Sequence, residues 1–291
     1  MATMAPIDST DARLPTAPVD DHLRHWVYRH RVTTRVWHWV NVVTLTIMLM
    51  SGLMIFNAHP RLYWGSYGAN FDHAWLQIGP TAAGGHLLIG PVDIPTGGLL
   101  GRWKDGHGRQ QTWAFPYWAT IPSDYSLAGA RRWHLSFAWV LVFASLFYWI
   151  AGLINRHLVR DVVPTLAELR VSNIWHDVKD HARLRFPAGE AATKYNILQK
   201  LAYGSVVFVM LPLMILTGIT MAPAFDANFG WLLPVFGGRQ SARSIHFLCA
   251  WGLVGFTIVH LAMVVLAGPI HEMRSIVTGW FRIPLTKGEG A

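Results

Sequence analysis

Four stretches of the chain, roughly 36–56, 133–154, 201–222 and 245–268, are almost unbroken runs of apolar residues, and the segments between them are polar or rich in Gly and Pro. Each is long enough to cross a hydrocarbon layer as a helix, which takes about 20 residues. Two other candidates, GHLLIGPVDIPTGGLLG and WLLPVFGG, are too short and too interrupted by Gly and Pro to span. The pattern predicts an all-α membrane protein: a four-transmembrane-helix bundle with a long outer loop, 57–132, between helices one and two. An N-terminal segment 1–35, a connection 155–200 with a helix around 163–184, and a tail 269–291 complete the division. The long loop is rich in Trp, Tyr, Gly and Pro, which suits a docking surface, a lid or a stabilising cap.

Composition agrees. Of 291 residues, 52% are hydrophobic and only 14% are charged, against about a quarter charged in soluble domains. The formal net charge of +8 is best taken as a topology signal. Lys and Arg in 1–35, 155–200 and 269–291 outnumber those in the other two connections two to one, so the positive-inside rule predicts both termini in the cytoplasm. No nucleic-acid partner is expected. One cysteine, Cys249, excludes an intramolecular disulfide, C-x-x-C haem attachment and iron–sulfur ligation by cysteine. No removable signal peptide is visible, so the first span is expected to act as an uncleaved anchor in a bacterial cytoplasmic (inner) membrane.

The two halves repeat weakly. SGLMIFNAHP at the end of span one resembles TGITMAPAFD at the end of span three, and RRWHLSFAW resembles ARSIHFLCAW at the starts of spans two and four. Two hairpins of one plan suit a bundle that builds cofactor sites from facing side chains.

Four histidines fall in or at the edges of these spans: His38, His134, His246 and His260. An ionisable group inside a bilayer marks a functional site by default. His246 and His260 are fourteen residues apart, nearly four turns, so both rings leave one face, roughly 21 Å apart along the axis. With the predicted topology, His134 matches His246 in depth near the outer surface, and His38 matches His260 near the inner one. Facing imidazoles at one depth, without thiolates or carboxylates in the spans, suit bis-histidine haem iron. The competing possibility for any single histidine is a hydrogen-bonded packing residue.

Gly52 lies fourteen residues after His38, and Gly204 and Gly218 repeat that spacing in span three. Glycine permits the close backbone approach that a flat macrocycle needs, although it also serves plain helix packing. Arg35, Arg131, Arg132 and Arg243 lie within three residues of a histidine at the membrane boundary. There they could pair with haem propionates or act as interfacial flank residues.

RVWHWVN with a later SGLMI, RRWHLSFAW, KYNILQKLAYG with a later LTGI, and the H-x13-H fourth span together resemble the bacterial di-haem cytochrome b family. That family includes membrane subunits of formate dehydrogenase, nickel–iron hydrogenase and thiosulfate reductase. The likeness covers a little under half of the chain, and the loop opening HPRLYWG looks most like the thiosulfate-reductase branch. It implies two haem b groups carrying electrons between the membrane quinone pool and a periplasmic oxidoreductase subunit, typically molybdopterin-dependent. It also implies a quinone pocket at Tyr195, Asn196, Gln199 and Lys200, where Leu198 replaces a family glycine. Alternatives are a stand-alone membrane haem oxidoreductase and a histidine-relay proton transporter.

Overall fold

The computed structural model describes residues 26–185 and 194–283. Arg13, Arg24 and Lys287, which contribute to the charge pattern, lie outside the described residues. Strand β1 (Trp26–Tyr28) precedes helix α1 (Val32–Asn57), and α2 (Leu127–Ile154) is the second span. The third span runs through α4 (Ile197–Ser205), a π turn (Val206–Met210) and α5 (Leu211–Met221). The fourth is α8 (Arg239–Ala267). Each starts four to six residues before its apolar run. Hydropathy marks only the part that lies in hydrocarbon, whereas the hydrogen-bond ladder continues into the polar interface. At α2 the extension starts at Ser126, whose side chain caps the Gly129 amide.

The π turn sits at a break the sequence dictates. Pro212 has no N–H, so the carbonyl of Phe208 loses its usual helical donor, and just before it the helix widens to an i→i+5 turn in which the Leu211 amide donates to the Val206 carbonyl. The turn shifts the angular phase of α4 by roughly one residue. Equal spacing of Gly204 and Gly218 therefore does not put them on one face.

α1 packs on α2 and α5 packs on α8, giving the two expected hairpins. Met48, Leu141, Leu211, Met214 and Leu253 form a buried layer at mid-depth, with Cys249 packed against it. The outward faces are apolar: Phe143, Phe147 and Ile150 on α2 and Ile258, Val259 and Val265 on α8 are at least half exposed. Such a surface is stable only against lipid. With four helices long and apolar enough to cross, the chain is a multi-pass membrane protein.

The 57–132 connection contains structure that the apolar runs do not reveal. β2 (Arg61–Leu62), β3 (Leu76–Thr81), β4 (Gly84–Ile89) and β5 (Val92–Pro95) form one antiparallel sheet in that order. β6 (Trp103–Lys104) pairs with β7 (Gln110–Gln111) beside it. Leu62, Leu76, Ile78 and Phe115 pack with Phe56 and Phe247 at the ends of α1 and α8. Polar bonds fix the dock: Asn57 exchanges hydrogen bonds with the Phe115 backbone at 3.1 and 2.7 Å. The Trp75 indole donates to Ser244, whose hydroxyl donates to the Tyr63 carbonyl. We call this the loop end of the bundle. Two short helices, α6 (Pro223–Phe229) and α7 (Leu232–Val235), join the third and fourth spans there.

At the opposite, terminal end, α9 (Pro269–Thr278) leads to β8 (Trp280–Arg282), which pairs antiparallel with β1. Arg29 meets Glu272 at 3.4 Å and lies over the Phe281 ring, while Arg274 lies over Trp26. Between spans two and three, α3 (Val171–Ala182) is the described helix within the predicted 163–184. Ahead of it Glu168 receives the Lys200 ammonium at 2.8 and 3.0 Å, which holds its carboxyl below the usual carboxylate range.

Candidate functional site

A single cavity of about 1340 Å³ runs through the bundle, and all four span histidines line it. It exceeds the roughly 300–1,000 Å³ of an ordinary small-molecule site. Near the terminal end the rings of His38 and His260 face each other with centres 6.4 Å apart. Near the loop end His134 and His246 do the same at 6.2 Å. A metal–imidazole bond is about 2 Å and the ring centre lies about 1 Å behind the nitrogen, so two imidazoles on opposite sides of one metal have centres roughly 6 Å apart. Both pairs meet that requirement. The donor set is imidazole alone, and among the described residues no group of three or more His, Cys, Asp and Glu could hold a bare metal ion. Two axial imidazoles in an apolar cavity fit a metal whose other positions are filled by a macrocycle.

The loop-end pair is held by its surroundings. His134 Nδ1 donates to the Met48 carbonyl at 3.1 Å and lies 3.1 Å from the Ser51 hydroxyl. Because the Ser51 hydroxyl donates to the Ile47 carbonyl at 2.7 Å, it accepts from the imidazole. His246 Nδ1 lies 2.9 Å from Thr217 Oγ1, and that hydroxyl in turn bonds the Leu213 carbonyl at 2.5 Å. A proton on Nδ1 leaves the Nε2 lone pair free for a metal. The repeat thus acquires a physical meaning: Ser51-Gly52 and Thr217-Gly218 are equivalent pairs in which the hydroxyl orients a ring and the glycine admits it. A Cβ on Gly52 would lie 3.4 Å from His134 Cε1, and one on Gly218 would lie 3.6 Å from His246 Cε1.

The terminal-end pair is held differently. His260 stacks on Phe256 and meets Tyr203 edge-on, and His38 Nδ1 is buried without a hydrogen-bond partner. Gly204 is not brought to this pair. A Cβ there would meet only Phe208, and Tyr203 lines the cavity in its place, as the π turn dictates.

The four arginines separate. Arg131 and Arg132 are both exposed, but only Arg131 lines the cavity. Arg243 lines the cavity too, but its guanidinium donates to the His59 and Arg61 carbonyls and so fastens the start of the 57–132 connection. Arg35 donates to the Val277 carbonyl and ties α1 to α9. Arg29 instead reaches the cavity at the terminal end, a residue that distance in sequence from the four span histidines does not reveal.

Asn196 and Gln199 line the cavity at the terminal end. They also form a capping box, in which Asn196 Oδ1 accepts from the Gln199 amide and Gln199 Oε1 accepts from the Asn196 amide. Each side-chain NH2 has an N–H left to donate, although Asn196 Nδ2 donates its other one to His181 Nε2 at 3.3 Å, the His181 Nδ1 proton going to the Asp177 carbonyl. Tyr195 lies between them and Arg29, and burial raises its phenol well above the ordinary value. Tyr148 stacks on Trp37 with ring centres 4.1 Å apart, forming another wall.

Residues 29–279 match the family described as prokaryotic cytochrome b561. The putative protein-methionine-sulfoxide reductase subunit YedZ1 of Azospira oryzae is 25% identical over 240 residues, 81% of this chain and 90% of the relative. The probable Ni/Fe-hydrogenase B-type cytochrome subunit of Cupriavidus necator is 25% identical over 80% of this chain and 77% of its own length. Its counterpart in Azotobacter vinelandii is 24% identical over 87% and 88%.

Proposed function

The chain belongs to the prokaryotic cytochrome b561 family, and on that premise we propose that it holds two haem b groups and links membrane quinone to an oxidoreductase subunit. His38 and His260 would hold one haem, and His134 and His246 the other. The observation that carries this is the two imidazole pairs, 6.4 and 6.2 Å between ring centres, facing each other across one apolar cavity. Haem b so held would supply reversible one-electron chemistry. The protein excludes water with its apolar lining and fixes the rings of the loop-end pair through Ser51, Thr217 and the Met48 carbonyl.

A hydrogen bond from Nδ1 makes a ligating imidazole more basic and so favours the oxidised metal. Thr217→Val keeps the side-chain shape and removes one such bond. Potentiometric titration should show the midpoint of one redox component rising and the other unchanged. No movement of either would argue against ligation by His246 through Nε2.

The charge asymmetry of the connections supports a cytoplasmic terminal end and a periplasmic loop end in a bacterial inner membrane. The relatives named as a reductase subunit and as hydrogenase cytochrome subunits favour an oxidoreductase partner. The docked outer sheet offers that partner a rigid surface at the loop end, and the resemblance of the HPRLYWG segment favours a molybdopterin-dependent one. Quinone is placed at the terminal end, where the amide donors of Asn196 and Gln199 can reach its carbonyls. The test is stopped-flow oxidation of the reduced protein by a short-chain quinone. Asn196→Asp and Gln199→Glu keep the capping oxygens and remove the amide donors. The rate should fall at least tenfold, about 1.4 kcal/mol of lost transition-state stabilisation, with haem content unchanged. Wild-type rates in both variants would move the quinone elsewhere.

A further inference from the structure

At the terminal end, besides the Arg29–Glu272 pair, the pair of His157 and Asp161 joins the cavity to water and has no part in holding either proposed metal. His157 follows α2 directly, and its amide is held by Asn155 Oδ1 at 2.9 Å. Its ring Nδ1 lies 2.7 Å from Asp161 Oδ2 across a short π turn, Leu158–Val162. The two side chains differ sharply in exposure: 11% for His157 and 53% for Asp161. His157 lines the cavity, with its ring edge-on to Tyr148 at 6.4 Å between centres. Tyr195, Asn196 and Gln199 line the same end. An exposed i,i+4 ion pair is ordinary and contributes little to stability. This one is ordinary only at its carboxylate; its imidazole faces a largely apolar chamber.

We infer that Asp161 and His157 form the proton conduit between water and a quinone bound at the terminal end of the cavity. The inference rests on the quinone site proposed above. Oxidation of a quinol breaks two O–H bonds, forms two C=O bonds and releases two electrons and two protons. The two proposed haem b groups, each a one-electron acceptor, would together take the two electrons. The protons have no acceptor among the amides of Asn196 and Gln199, and the nearby phenols of Tyr148 and Tyr195 are weak bases of no use at neutral pH. His157 can take a proton on Nε2 while giving up the one that Nδ1 shares with Asp161, whose carboxylate passes it to water. Quinone reduction runs the same route inward. The charged and titratable groups that face this pair are Tyr148 from α2, His30 ahead of α1, and Tyr195 ahead of α4, which senses Asp161.

The full-length protein, loaded with haem and reconstituted in liposomes, is mixed with duroquinol across pH 5.5–8.5, and haem reduction is followed by absorbance. His157→Gln preserves a hydrogen bond to Asp161 but carries no proton; Asp161→Asn interrupts the outer step. Both should keep wild-type haem content and dithionite-reduced spectra. Reduction by duroquinol should slow at least tenfold and lose its rise with pH. In His157→Ala, added imidazole should restore a concentration-dependent part of the rate, which a merely structural role would not allow. A wild-type rate and pH profile in His157→Gln, or a slow His157→Ala that imidazole leaves unchanged, would overturn the conduit. If the wild-type protein itself fails to react with duroquinol, the quinone site falls and the conduit with it.

Discussion

Replacing His246 by alanine should remove one of two haems from each polypeptide, and replacing His134 should remove the same one. The rings face each other at 6.2 Å, so on the proposed reading they would share one metal, and either one alone would not hold it. His38→Ala and His260→Ala should each remove the other haem, because those rings face at 6.4 Å. Haem extracted per polypeptide should therefore fall from two to one in all four variants. Potentiometric titration should show two classes of survivor, one per pair. The His134→Ala/His246→Ala double variant should look like either single one, since residues acting as a unit are not additive. Loss of a common component in His38→Ala and His134→Ala would contradict the pairing.

The second large effect comes from residues with no donor atoms. Gly52→Leu and Gly218→Leu should abolish loop-end haem binding, leaving roughly one haem per chain with all four histidines intact. A Cβ at either position only touches the neighbouring imidazole, at 3.4 or 3.6 Å, so Gly52→Ala and Gly218→Ala should retain nearly full content. The branched Leu side chain must then enter the cavity that both glycines line, where overpacking costs about 1–3 kcal/mol even before the cofactor is displaced. Measured haem stoichiometry separates the outcomes: full content in both Leu variants would show that the glycines serve helix packing alone. Gly204→Leu is the internal control. It lies off the cavity, and haem content there should be unchanged.

That control also shows where sequence stops being informative. Long apolar runs locate the spans because only a helix satisfies its backbone in lipid, and matched depths bring His38 to His260 and His134 to His246 without any knowledge of side-chain contacts. Periodicity fails at Gly204 because it assumes an uninterrupted 3.6-residue turn; Pro212, present in the sequence, is the signal that the assumption breaks. The loop-end sheet is illegible for a different reason. Leu76–Thr81 and Gly84–Ile89 are short and Gly-rich, and what fixes them is burial against the ends of α1 and α8. Arg35 and Arg243 sit near histidines in sequence, yet their guanidiniums are committed to backbone carbonyls across the fold. Side-chain reach of that kind depends on tertiary neighbours.

The β1–β8 pairing joins the first and last described strands, and His246 and His260 both belong to α8. A chain emerging from the ribosome therefore contains half of each metal site after its second span and completes neither until its fourth has been inserted. During that interval the two imidazoles already in the membrane have no opposing ring, and the terminal strand has nothing to pair with. If these pairs hold haem as proposed, cofactor capture is confined to the end of synthesis. A nascent chain arrested before residue 246 would be unable to sequester haem by bis-histidine ligation, whatever the supply in the cell.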